Sequence, residues 1–253
     1  MSQITQRGAT GPVALVANGA FQTSTDASLQ TLLGTRWDLS DGREVALGQA
    51  SSATTVAPGY FYQNAALIGN HQGLAVTAVQ AYSANGNTPA TVTVTLGGTA
   101  ATAGQYAGGF LVVQSSTGIG QTLKIANHPA QTLTSGALVV TLEDAPTTAL
   151  TTSSVVNLIP ATGFNVVISP AAASLTNTEF GVGLYAIPAS SYGFFVTRGN
   201  TALVGVSAGV AAGSSLSVGT AGAAIVFSGA IPVLGHTGAA IAASSANIAY
   251  IEL

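Results

Sequence analysis

Between Arg198 and Glu252 the chain passes through 53 consecutive residues without a formal charge. Few arrangements tolerate that. A β-strand whose open edge carries no charged side chain pairs with whatever strand it meets. Such a segment stays in solution when its edges are closed in a barrel or covered by another subunit. The rest of the chain leans the same way: Asp, Glu, Lys and Arg make up 5% of its 253 residues, against about 25% in an ordinary domain. Ser, Thr, Asn, Gln and Gly must then form most of the wetted surface, and neighbouring subunits are the simplest cover for the remainder. Size is no obstacle, since a chain this long buries roughly 70–75% of its unfolded surface.

Local patterning predicts strands. TVTVTL (91–96) alternates strictly, with Val92, Val94 and Leu96 on one face and Thr91, Thr93 and Thr95 on the other. GGFLVV, QTLKIA, GALVVTLE and SSVVNLI follow at short spacing, then FNVVIS, GVGLYAIP, YGFFVT, TALVGVS, SLSVG, AAIVF and NIAYIEL, with Gly, Pro and Ser-Thr clusters between them. No segment sustains a helical apolar period long enough for a major helix; DASLQTLL, capped by Asp26, predicts a short one. In RWDLSDGREVAL the Asp41-Gly42 pair marks a hairpin turn. The fold class read from this is all-β, built from antiparallel barrel- or sandwich-like parts with a short N-terminal arm and little helix. Three segments are expected: an arm and small hairpin over 1–50, a β domain over 51–162 and a barrel-like domain over 163–253.

Charge and composition exclude several functions. With a net charge of −3 and five basic residues, the chain has no field to attract phosphate backbones, so nucleic acid is not an expected partner. No run of about 18 apolar residues occurs, and aromatic residues are too scattered for the girdles of an outer-membrane barrel, so no membrane role is expected. MSQITQRGATGPVALVANGA lacks the basic start and continuous apolar stretch of a signal peptide, which points to synthesis in the cytoplasm. Cysteine is absent, which removes disulfides and thiolate metal sites.

The motifs that suggest chemistry each have a plainer reading. GVSAG (205–209) fits the nucleophile elbow around Ser207, but VAAGSSLSVG is poor material for the helix that must follow, and His236 and then Glu252 come in the wrong order for its partners. A turn between strands explains it. GIG (118–120) has Leu123 where a dinucleotide loop needs its third glycine, and Lys124 lies in a strand pattern. His71, His128 and His236 are far apart and lack ligand spacing; they read as loop residues whose rings make local hydrogen bonds. Glu143 and Asp144 are neighbours on a strand and point to opposite faces, so they cannot work as a pair. Asp38, Asp41 and Glu44 surround a turn, where Asp serves the backbone, and are too few for a calcium loop. No cofactor, metal or catalytic residue is expected. Trp37, the one tryptophan, sits beside Arg36 and near Arg43. It is either the core of the hairpin or an anchor that docks on another subunit, Trp and Arg being enriched in binding hot spots.

LGTRWDLSDGREVAL, NHQGLAVTAVQ, TVTVTLGGTAATAGQYAGGFLVVQSSTGIGQTLKIANHPA, ALVVTLEDAPTTALTTSSVVNLIP and GVGLYAIPASSYGFFVTRGNTALVG occur in this order. Together they resemble virion structural proteins of tailed bacteriophages, of the capsid decoration or cement type. The resemblance covers about 33–253, and QYAGGFLVV through IANHPA is its most specific part. It implies a non-enzymatic, β-rich protein on the outer capsid of the virion, a homotrimer that clamps neighbouring major capsid protein subunits. Arg7, Arg36, Trp37 and Arg43 are the expected capsid contacts. Two alternatives stand beside it: a tail-fibre or receptor-binding module, and a surface hydrolase using Ser207.

Overall fold

The computed structural model describes residues 4–6, 16–17, 20–80, 90–170, 176–205, 209–227 and 233–253. The chain is all-β. Its sheets are antiparallel, and the described helical turns, Ala27–Leu32, Gly69–His71 and Thr220–Gly222, are short 3-10 segments. Asp26 caps the first of them, accepting from the Ser28 N–H at 2.9 Å. No described helix is long and apolar enough to cross a membrane.

The structure groups the chain differently from the three consecutive segments read from the sequence. One compact unit is 67–161, and the other joins 1–66 to 162–253. Strand pairing is the reason. Glu44–Gln49, from the N-terminal hairpin, runs antiparallel to Tyr192–Val204, with Val45 opposite Val196 and Leu47 opposite Phe194. The hairpin of Arg36–Leu39 and Glu44–Gln49 therefore belongs to the sheet of the C-terminal half.

The inserted unit is a closed six-stranded barrel. Around the ring come Thr122–Asn127, Ala137–Leu142, Thr91–Thr95, Leu74–Gln80, Val155–Ile159 and Phe110–Ser115, which pairs again with Thr122–Asn127. Alternation in the sequence becomes inside and outside here: Val92, Val94 and Leu96 are buried, whereas Thr91, Thr93 and Thr95 are half-buried. Val113, Ile125, Leu138, Val140, Val156 and Leu158 fill the remaining interior. Each such side chain contributes roughly 1.5–3 kcal/mol by leaving water. A barrel this narrow is packed solid by its own residues, and closure leaves no open edge.

The other unit holds an 11-stranded sheet whose main path runs Ile4–Gln6, Arg36–Leu39, Glu44–Gln49, Tyr192–Val204, Ala246–Glu252, Gly235–Thr237, Ser215–Val218, Ala224–Val226. A bridge from Gly205 to Ala224 brings the end of this path back to the long central strand. YGFFVT and TALVGVS read as separate strands, but Tyr192–Val204 is one continuous strand of 13 residues. It bends instead of turning: the register slips between Val196 and Arg198, and Gly199 takes φ +102°, a backbone conformation that favours glycine. Its core is aromatic, with Phe195 edge-on to Tyr62 at 5.7 Å and to Phe180 at 5.1 Å between ring centroids. A Cβ on Gly48 would stand 2.5 Å from Phe180 Cε1, so this strand approaches the rings as closely as it does because it carries glycine there.

Candidate functional site

The scarce charges gather. Asp38 lies opposite Glu44, Glu44 opposite Arg198, and Arg198 opposite Glu252, so four strands carry them in one row. Arg36 and the turn residues Asp41 and Arg43 adjoin this row. Together they hold three of the chain's five basic side chains and four of its eight acidic ones. The hairpin supplies most of them because its turn, Asp41-Gly42, projects the flanking residues, with the Leu39 N–H donating to the Arg43 carbonyl at 2.7 Å.

Within the row the charges satisfy one another. Arg36 donates to Glu44 Oε1 at 2.7 Å while its side chain stays 50% exposed. Glu44 is buried and also accepts from the Thr197 hydroxyl at 3.2 Å. Arg43 grips Asp41 Oδ2 through Nε at 2.9 Å and Nη2 at 2.6 Å, and that grip holds the Asp41 carboxyl below the usual carboxylate range. Arg198 reaches Tyr250 Oη at 3.3 Å and Glu252 Oε1 at 3.6 Å. The more exposed pairs, Arg43 with Asp41 and Arg198 with Glu252, are worth about 0–1 kcal/mol each.

The expected contact residues separate under this geometry. Arg36 is exposed on its strand, and Arg43, beside the turn, is partly exposed. Trp37 is not: it is 1% exposed, and its ring meets Phe194 edge-on at 5.2 Å. Alternation along the strand explains the correction, because Trp37 points to the core face between Arg36 and Asp38. Arg7 and Ser207 lie outside the described residues. Sequence reading missed Arg198 and Glu252, whose one signal was that they bracket the uncharged run.

Two histidines that read as loop residues are core residues of the barrel unit. His71 and His128 are 0% and 3% exposed, and the Tyr106 ring lies 5.6 Å from each. The Tyr106 N–H donates to His128 Nε2 at 3.0 Å, so that nitrogen is bare; the proton sits on Nδ1, which donates to the Pro129 carbonyl at 2.8 Å. By the same logic His71 Nε2 donates to the Thr99 carbonyl at 2.9 Å and its Nδ1 accepts the Tyr106 hydroxyl. Burial holds His128 below the usual imidazole range, His71 adds to the depression, and the Pro129 carbonyl opposes it. Both rings spend both nitrogens inside the fold. His236, by contrast, is exposed and faces Ser215 Oγ at 3.3 Å.

Glu179 is the most perturbed acid. Burial pushes its carboxyl up to about 7, against a hydrogen bond from Ser169 Oγ at 2.6 Å to Oε2. Its Oε1 is shut off from solvent and meets no donor. Ser169 is 0% exposed, so the pair cannot present a nucleophile to a substrate. Lys124 and Glu143 pair at 3.1 Å on the barrel. Among the described residues no three His, Asp or Glu side chains come together as a metal site would need. No family model matches the chain, and neither does any curated protein or solved structure.

Proposed function

We propose that the chain is a capsid decoration protein of a tailed bacteriophage, a non-enzymatic component that sits on the outer surface of the head and ties neighbouring major capsid protein subunits together. The resemblance assigns three copies to the assembly. The observation that carries the reading is the distribution of charge: three of the five basic and four of the eight acidic side chains gather around one hairpin and the strands paired with it, on β structure that is otherwise nearly uncharged. A clamp needs rigid strands and an exchangeable polar edge. Linking several weak edges in one assembly raises avidity by roughly 10²–10⁴-fold over a single contact.

Arg36 and Arg43 are the contact residues of the described structure on this reading, with Arg7 from the N-terminal segment, and the buried Trp37 anchors the strand of Arg36. The test is cosedimentation of the purified protein with phage heads that lack it. Binding by the unmodified protein, weakened at least tenfold in an Arg36→Ala, Arg43→Ala double variant that folds normally, is the expected result. Failure to bind heads overturns the function. Location on the tail of intact particles would transfer the protein to the receptor-binding alternative.

A further inference from the structure

The pair formed by Tyr192–Val204 and Ala246–Glu252 turns one face to the core, where Thr201, Leu203, Ala249 and Ile251 are buried. The other face is a ladder with unlike rungs: Arg198 beside Glu252, Asn200 beside Tyr250, Ala202 beside Ile248 and Val204 beside Ala246. Ile248 is 50% exposed and Tyr250 38%. Around Ala202 and Ala246 the surface dips into an open hollow of about 320 Å³, whose rim also carries Ile248, Asn247 and Arg43. Each rung thus sets a cation against an anion, or a small side chain against a large one.

A two-fold axis lying in this face, parallel to the strands and midway between them, exchanges the two columns of the ladder. We propose that the face pairs with the same face of a second copy about such an axis. Arg198 then meets the second copy's Glu252, Asn200 its Tyr250, and Ala202 its Ile248, which fills the hollow. Charge and shape are complementary rung by rung, and because the contact is isologous, complementarity in one half supplies it in the other. Face-to-face packing of two sheets with their strands nearly aligned is a common geometry. Ile248 and Tyr250 sit at the centre and exclude water; the ionic rung lies at the rim, where it sets register more than affinity. A second copy is the occupant because the opposed properties lie within each rung. The pairing closes on two chains and stands independently of any capsid.

Light scattering on the full-length chain should give an even number of copies of its 24.8 kDa mass, six where the trimer of the proposed function forms and two where it does not, and Ile248→Asp should halve that number without changing the circular dichroism. A charge-reversal mixture reads the rim. Arg198→Glu alone and Glu252→Arg alone each set like charges against each other and should dimerise about tenfold more weakly. Mixed, the two variants should form heterodimers, since opposite charges then meet between copies while each chain keeps its own like-charged rung. A mass of one chain or of three for the unmodified protein overturns the proposal. So does an assembly that Ile248→Asp leaves intact, or a mixture no tighter than its components.

Discussion

Arg198 and Glu252, the two charges that bracket the uncharged run, stand directly opposite each other on adjacent strands, with Nε 3.6 Å from Oε1. The intervening chain leaves the charged row and returns to it, and the bridge between Gly205 and Ala224 helps close the path on itself. Thr201, Leu203, Ala249 and Ile251, between these charges, face the core. The edge problem posed by the sequence is answered in part by closure.

Trp37 should behave as a core residue. Its ring is packed on Phe194, and its Nε1 is buried without an acceptor. Trp37→Ala is expected to cost about 3–5 kcal/mol in urea unfolding. Trp37→Phe should cost less, because it also removes the unpartnered N–H. An unchanged midpoint for the alanine variant would return Trp37 to the surface.

Acid should weaken the barrel unit through His128. Its folded pKa lies below the usual 6.5, so the unfolded chain takes up a proton first as the pH falls. The stabilisation is complete above about pH 6.5 and is lost as the pH drops through the lower folded value. His128→Gln should reduce stability at neutral pH and flatten this acid slope in denaturation measured across the range.

Glu179 should act in the opposite sense. Its folded pKa is raised from 4.5 to about 7, so stability declines as the pH climbs between those values, by up to about 3 kcal/mol. Glu179→Gln should abolish the decline while losing some stability at low pH, where its buried amide has one group unserved. A titration of the unmodified carboxyl by carbon NMR with a midpoint near 4.5 would sink this prediction. The two slopes overlap and oppose each other, so the single variants are needed to separate them.

Strict alternation at 91–96 and the Asp41-Gly42 turn were legible because each depends on neighbours in sequence. The single strand through Arg198, Gly199 and Asn200 was not legible. A glycine beside a charge looks like a turn until the strands on either side pair with it and carry the strand through. Trp37 was ambiguous for a related reason, since its burial depends on Phe194, far along the chain. His71 and His128 meet only because the barrel closes around Tyr106, and nothing in their spacing announces that ring. The charged row was half legible: the hairpin supplied its local members, and register supplied Arg198 and Glu252.

In sequence, the barrel of residues 67–161 interrupts a unit made of 1–66 and 162–253. During synthesis every strand of the barrel emerges before Tyr192–Val204, the strand that Glu44–Gln49 requires as its neighbour. The barrel can therefore mature on the ribosome while the earlier hairpin waits with an unmatched rim. Until that strand arrives, Glu44–Gln49 lacks the neighbour that completes its pairing.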